Sequence, residues 1–150
     1  IVYFMLIYSL SNLAVFGVLS IVSNNTGKET MDDFNGFYAT NPRLSLIMLL
    51  ALFSLAGIPP VAGFFGKFFL FTAAASKGLY ILVFIAVLNA TVSLYYYLLV
   101  VKAMFINKNE TPIPTLPSTF YEKVALSICV AGILAIGFFS SIYEYIESLL

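Results

Sequence analysis

Histidine and tryptophan are absent from these 150 residues, cysteine occurs once, and charge is scarce, with seven basic and seven acidic side chains. Each shortage excludes something. Without histidine there is no imidazole to bind a metal or to serve as a general base. A lone Cys129 rules out an internal disulfide framework and a cysteine-based metal site. A hydrolase of any usual arrangement is therefore excluded, and no bound cofactor or metal is expected in this chain. The net charge of zero leaves no basic footprint for nucleic acid. The chain opens at Ile1 in an apolar run without the basic flank of a signal peptide. We expect it to be the C-terminal part of a longer protein.

What is abundant is apolar sequence. Hydrophobic residues make up 61% of the chain, against about 45–50% in a soluble domain. The expected fold class is all-α, a polytopic transmembrane helix bundle. Residues 1–22, 79–101 and 124–143 each supply about 20 or more apolar residues, enough to cross a ~30 Å hydrocarbon core as plain helices. The run 44–76 differs. At about 33 residues it would extend roughly 50 Å as one straight helix, too long for one crossing and too short for two with a turn. Gly57, Pro59, Pro60, Gly63 and Gly66 lie in its middle. The prolines lack backbone donors, and Pro60 pushes Pro59 out of the helical region. We expect half-helices at 44–57 and 64–76, a discontinuous second span broken near 57–66, and four spans in all.

Two polar connections separate the spans. Residues 23–43 hold turn formers and Asp32, Asp33, Phe34, Phe37 and Tyr38, the makings of a short interfacial helix. Residues 102–123 carry Pro112, Pro114 and Pro117 and should form an extended loop; Lys77-Gly78 reads as a tight turn. Lys28, Arg43, Lys102, Lys108 and Lys123 all fall on the side of the longer connections. The positive-inside rule therefore makes that side cytoplasmic.

Within the broken run, Lys67 is the sole charge. About nine residues separate it from Ser76, or roughly 14 Å of helix, which puts it near mid-membrane. A lysine stem cannot snorkel that far, although Lys77 and Lys102 can reach an interface. A central lysine costs about 2.5–3.5 kcal/mol on insertion scales, so it must face protein or water. Burial can also bring an amine into a range where it releases and regains a proton, which arginine cannot do. Lys67 is the candidate proton relay, with Gly57, Pro59, Pro60, Gly63 and Gly66 as the broken-helix support. The plainer role is donation to carbonyls freed by the break, gluing the span together. Asn12, Ser54, Thr72, Asn89, Thr91 and Ser93 are expected to be helix-to-helix glue or to bond back to their own backbone. One of Tyr95, Tyr96 and Tyr97 could line a hydrated path.

The string SLAGIPPVAGFFGKFFLF, residues 54–71, resembles the broken helix of the antiporter-like membrane subunits of respiratory complex I, the proton-translocating NADH–quinone oxidoreductase. Its Gly-Lys-Phe form is most similar to the subunit N branch. YSLSNLAVFGV (8–18), DDFNGF (32–37) and SLYYYLLVVKAMF (93–105) extend the likeness over essentially the whole chain, as the last four helices of a fourteen-helix protein. Sister subunit M usually has Glu where Lys67 stands, and subunit L has a Ser-Lys-Asp variant and a long lateral helix. The resemblance implies proton translocation driven by quinone reduction elsewhere, with Lys67 in the C-terminal half-channel, the link to the outer side. It implies that NADH, FMN, the iron–sulfur clusters and quinone bind other subunits. The implied partners are subunit M, the small membrane subunits, the lipid bilayer, protons and water. The location is a bacterial inner membrane, or an organellar one. A subunit of a multisubunit Na⁺/H⁺ antiporter and a purely structural membrane scaffold are the competing functions.

Overall fold

A computed structural model describes residues 2–59 and 61–138, and every regular element among them is helical. Six α-helices follow in order: α1 (Val2–Thr26), α2 (Phe37–Thr40), α3 (Pro42–Ala56), α4 (Ala62–Ser76), α5 (Tyr80–Phe105) and α6 (Phe120–Phe138). A 3₁₀ turn, Met31–Phe34, precedes α2. Pro60, and the end of the expected 124–143 span with Glu144 and Glu147 beyond it, lie outside the described residues.

α1 is the packing centre. Its buried side chains, Tyr3, Ile7, Ser11, Ala14, Val15, Val18, Ile21 and Val22, recur every three or four residues and form one stripe. That stripe meets α3, α4 and α6. α5 is the opposite case: only Ala103 and Met104 are buried, while Tyr80, Ile81, Phe84 and Val92 stand exposed. A helix that is apolar all round yet bare on most of its surface suits lipid, not water. α1, α5 and α6 are each long and apolar enough to cross a membrane; α3 and α4, at 15 residues each, are shorter.

Several expected boundaries move: α3 and α4 begin at Pro42 and Ala62, each two residues ahead of the expected 44 and 64, and three further shifts are larger. α1 continues past residue 22 to Thr26, because polar side chains in its last turn serve the helix. Asn25 Nδ2 donates to the Ile21 carbonyl at 2.7 Å, and Thr26 Oγ1 donates to that of Val22 at 2.7 Å. α5 runs on to Phe105, so Lys102 lies in a last helical turn, where a cation complements the helix dipole. α6 begins at Phe120, ahead of the expected 124. Glu122 Oε2 accepts the Thr119 amide at 2.7 Å and satisfies a donor at that helix start. The long loop thus shrinks to 106–119.

The two polar connections lie at one end of the bundle and hold each other. Gly36 N donates to the Ala103 carbonyl at 3.1 Å, and Asn107 Nδ2 to Asn35 Oδ1 at 2.9 Å. Buried Asn41 donates to the Pro114 carbonyl at 3.0 Å and accepts from Leu116 N at 2.8 Å. Phe34 and Phe37 are buried beneath this lattice, edge to face at 5.2 Å.

Asp33 ties the start of the lattice, accepting from Thr30 Oγ1 at 2.7 Å and Thr30 N at 3.0 Å. The Thr30 hydroxyl bond, then the backbone bond, holds its carboxyl below the ordinary carboxylate value. A depressed acid contributes stability above its unfolded value and loses it as pH falls through the folded one. Amide protection across 30–36 should therefore hold above about pH 5 and fall below about pH 4. Hydrogen exchange in Asp33→Asn should show that fall weakened or gone.

Candidate functional site

The break in the 44–76 run is built from backbone accounting. α3 is capped by Gly57, whose φ of +83° is left-handed; its amide and that of Ile58 both return to the Phe53 carbonyl at 3.0 Å. In a continued helix the Leu55 carbonyl would accept from residue 59 and the Ala56 carbonyl from residue 60. Both positions are proline and have no N–H to give. Lys67 supplies what they lack. Its Nζ donates to the Leu55 carbonyl at 2.7 Å and the Ala56 carbonyl at 3.0 Å. Neither acceptor carries a formal charge.

Lys67 reaches back because α4 lies hard against α3. Gly63 makes that possible: a methyl there would fall on the Ser54 carbonyl oxygen, far inside contact distance, and 2.6 Å from its carbon. Gly66 faces α1, where a methyl would meet Ile7 Cδ1 at 3.3 Å and Phe4 Cδ2 at 3.4 Å. Gly57 lies against the Lys67 stem itself, its Cβ position 3.0 Å from Cδ. Pro59 sits exposed in the link.

An ammonium has three donors, and two carbonyls leave one free. Lys67 also borders a cavity of about 220 Å³ between α1, α3, α4 and α5, shared with Tyr8, Ser11, Ser54, Ser93 and Tyr97. A water takes about 30 Å³ in the liquid, so this volume holds several beside groups able to bond them. Ser11 Oγ donates to Ser54 Oγ at 2.8 Å, both side chains fully buried. Ser93 Oγ donates to the Asn89 carbonyl at 3.0 Å.

Of the three expected tyrosines the cavity takes Tyr97, half-buried; Tyr95 and Tyr96 are exposed. Asn12, Thr72 and Thr91 bond back to carbonyls four residues earlier and stay outside. Ser54 is helix-to-helix glue and also a cavity wall. Cys129 is buried in the apolar core. Tyr8 and Ser11 were not singled out from the sequence, although a signal existed. Phe4, Ile7, Tyr8 and Ser11 share one face at helical spacing, and polar groups on the face turned to a broken helix are candidates for its lining. No group of three or more His, Cys, Asp or Glu among the described residues could hold a metal ion.

Comparison with known proteins shows what the chain as a whole is similar to. A family model described as NADH:quinone oxidoreductase/Mrp antiporter, TM, matches residues 1–93. The NADH-quinone oxidoreductase subunit N of Phocaeicola vulgatus is 52% identical over 147 residues, covering 97% of this chain and 31% of the relative. The chloroplastic NAD(P)H-quinone oxidoreductase subunit 2 of Zygnema circumcarinatum is 37% identical over 146 residues, covering 90% and 29%. A chain of the respiratory complex I of Thermus thermophilus, solved with bound aureothin, superposes with a TM-score of 0.79 at 32% identity, covering 93% of this chain and 32% of that one. The chain thus spans under a third of the length of these relatives.

Proposed function

The chain belongs to the NADH:quinone oxidoreductase/Mrp antiporter transmembrane family, and from that premise we propose that it is part of a proton-translocating membrane subunit of an NADH-quinone oxidoreductase. In this reading α3 and α4 together make one discontinuous crossing, the second of four. Lys67 is its proton relay. Redox cofactors and quinone belong to other subunits, and the neighbours are subunit M and small membrane subunits. The membrane is a bacterial inner membrane, with the lattice end cytoplasmic.

One observation carries the proposal: the Lys67 amine is held at the break by two neutral carbonyls, beside a cavity with room for water. A neutral amine keeps two N–H groups and gains a lone pair. The two carbonyl bonds can therefore persist through a protonation cycle while the third position gives up and regains its proton. Water files through the cavity would deliver it, with the hydroxyls of Tyr97, Tyr8 and the Ser11–Ser54 pair as way stations. Nothing else in the bundle has to move. The chemistry is reversible protonation, with no substrate bond made or broken.

The family's own description favours a second reading, a subunit of a multisubunit cation/proton antiporter. Ion flux separates the two. In proteoliposomes holding the whole complex, NADH-driven acidification should be unchanged when Na⁺ is replaced by K⁺. Acidification that stops without Na⁺, with counter-transport of Na⁺, would replace the first reading by the second.

A further inference from the structure

A second cleft lies apart from Lys67, at the lattice end, where α3 and α6 begin. It measures about 710 Å³, and its lining brings the cations Arg43 and Lys123 and the hydroxyl-bearing Thr40, Ser118 and Ser127 together with the apolar Leu44, Ile47 and Leu126. No carboxylate among the described residues lines it. The neighbouring Glu122 is turned to the Thr119 amide. No hydrogen bond or ion pair among the described residues engages the Arg43 or Lys123 side chain.

The cleft is preformed. Asn41 pins Pro114 and Leu116, and Thr115 Oγ1 donates to the Thr40 carbonyl at 3.2 Å, which holds the segment whose residues 115–118 form one wall. Its depth follows from α6, whose first residues Phe120 and Tyr121 are 74% and 83% exposed, an aromatic pair suited to the headgroup level. Lys123 and Ser127 lie one and two turns further in.

We propose that this cleft is a binding site for an anionic phospholipid. The phosphate lies between Arg43 and Lys123, and an acyl chain runs along Leu44, Ile47 and Leu126. Paired cations without acids, at the interface between two spans, are the chemistry by which a charged headgroup is recognised, and an apolar lining is of no use to a free anion.

The full-length protein in phosphatidylcholine nanodiscs, titrated with spin-labelled phosphatidylglycerol, tests this. The wild type should immobilise the anionic lipid at one saturable site and leave labelled phosphatidylcholine mobile. Each cation near the surface is worth about fivefold, so R43Q/K123Q should weaken that site roughly 30-fold. The charge-conserving R43K/K123R, which separates lost charge from lost fold, should retain most of it. An unchanged preference in a folded R43Q/K123Q protein would overturn the proposal. So would displacement of the lipid by inorganic phosphate alone, since the site would then take a free anion.

Discussion

Gly63→Ala is expected to collapse the level of folded protein in the membrane. The added methyl meets the backbone of Ser54, carbonyl oxygen and carbon together, and no rotamer relieves a clash with backbone. α3 and α4 must part by more than an ångström, and three things go with that movement. The Ser11–Ser54 bond lengthens, the α3–α4 contact opens, and Lys67 loses its reach to the Leu55 and Ala56 carbonyls. Overpacking alone costs about 1–3 kcal/mol, and the orphaned carbonyls add to it. We expect at least about 3 kcal/mol, on the order of a hundredfold in the folded-to-unfolded ratio. Gly66→Ala is the control. Its methyl comes tightest to the movable ends of the Ile7 and Phe4 side chains and reaches backbone only at an ordinary 3.8 Å from Phe4 Cα, so full-length protein should reach near wild-type levels. Immunoblots and thermal unfolding of the detergent-extracted full-length protein check both.

Lys67→Met should abolish proton translocation while electron transfer in the same preparation slows. Its interpretation is mixed, because methionine removes two roles at once. It cannot carry a proton, and it leaves the Leu55 and Ala56 carbonyls without the donors that Pro59 and Pro60 fail to supply. Each unpaired carbonyl costs about 1–3 kcal/mol, enough to lower assembly as well. Lys67→Arg separates the roles. A guanidinium brings five donors, so the break stays satisfied, but it does not deprotonate in a protein. A scaffold needs only the donors; a relay needs the proton to leave.

The place of the interruption was legible because Pro59 and Gly57 forbid a continuous helix wherever they stand. Lys67 was legible as costly because about nine residues to Ser76 put it beyond snorkelling reach. The partners of Lys67 were readable only in general terms. That freed carbonyls could hold the amine follows from the break; that they are those of Leu55 and Ala56 follows only once the helix is known to stop at Ala56. The role of Gly63 was understated, since close approach depends on which helix faces it, and no local pattern encodes that. Tyr8 and Ser11 were passed over because one tyrosine and one serine in an apolar span are ordinary. They matter only when α1 is seen to turn that face to the break. Lys102 misled the boundary of α5, since a charge at the end of an apolar run ends the hydrophobic stretch without ending the helix. The lattice between 27–41 and 106–119 was invisible for the same reason that long-range packing usually is. Its anchors, Asn41 and Asn35, are polar residues in polar loops.

A proton relay at Lys67 requires the side chain to change its charge during turnover. The direct measurement is proton release from proteoliposomes containing an assembled Lys67→Arg complex, with electron transfer followed in the same vesicles. Acidification at background, in a complex whose stability matches the wild type, is the predicted result. Proton release at the wild-type rate would contradict it, because a permanently charged side chain would then serve as well as one that titrates.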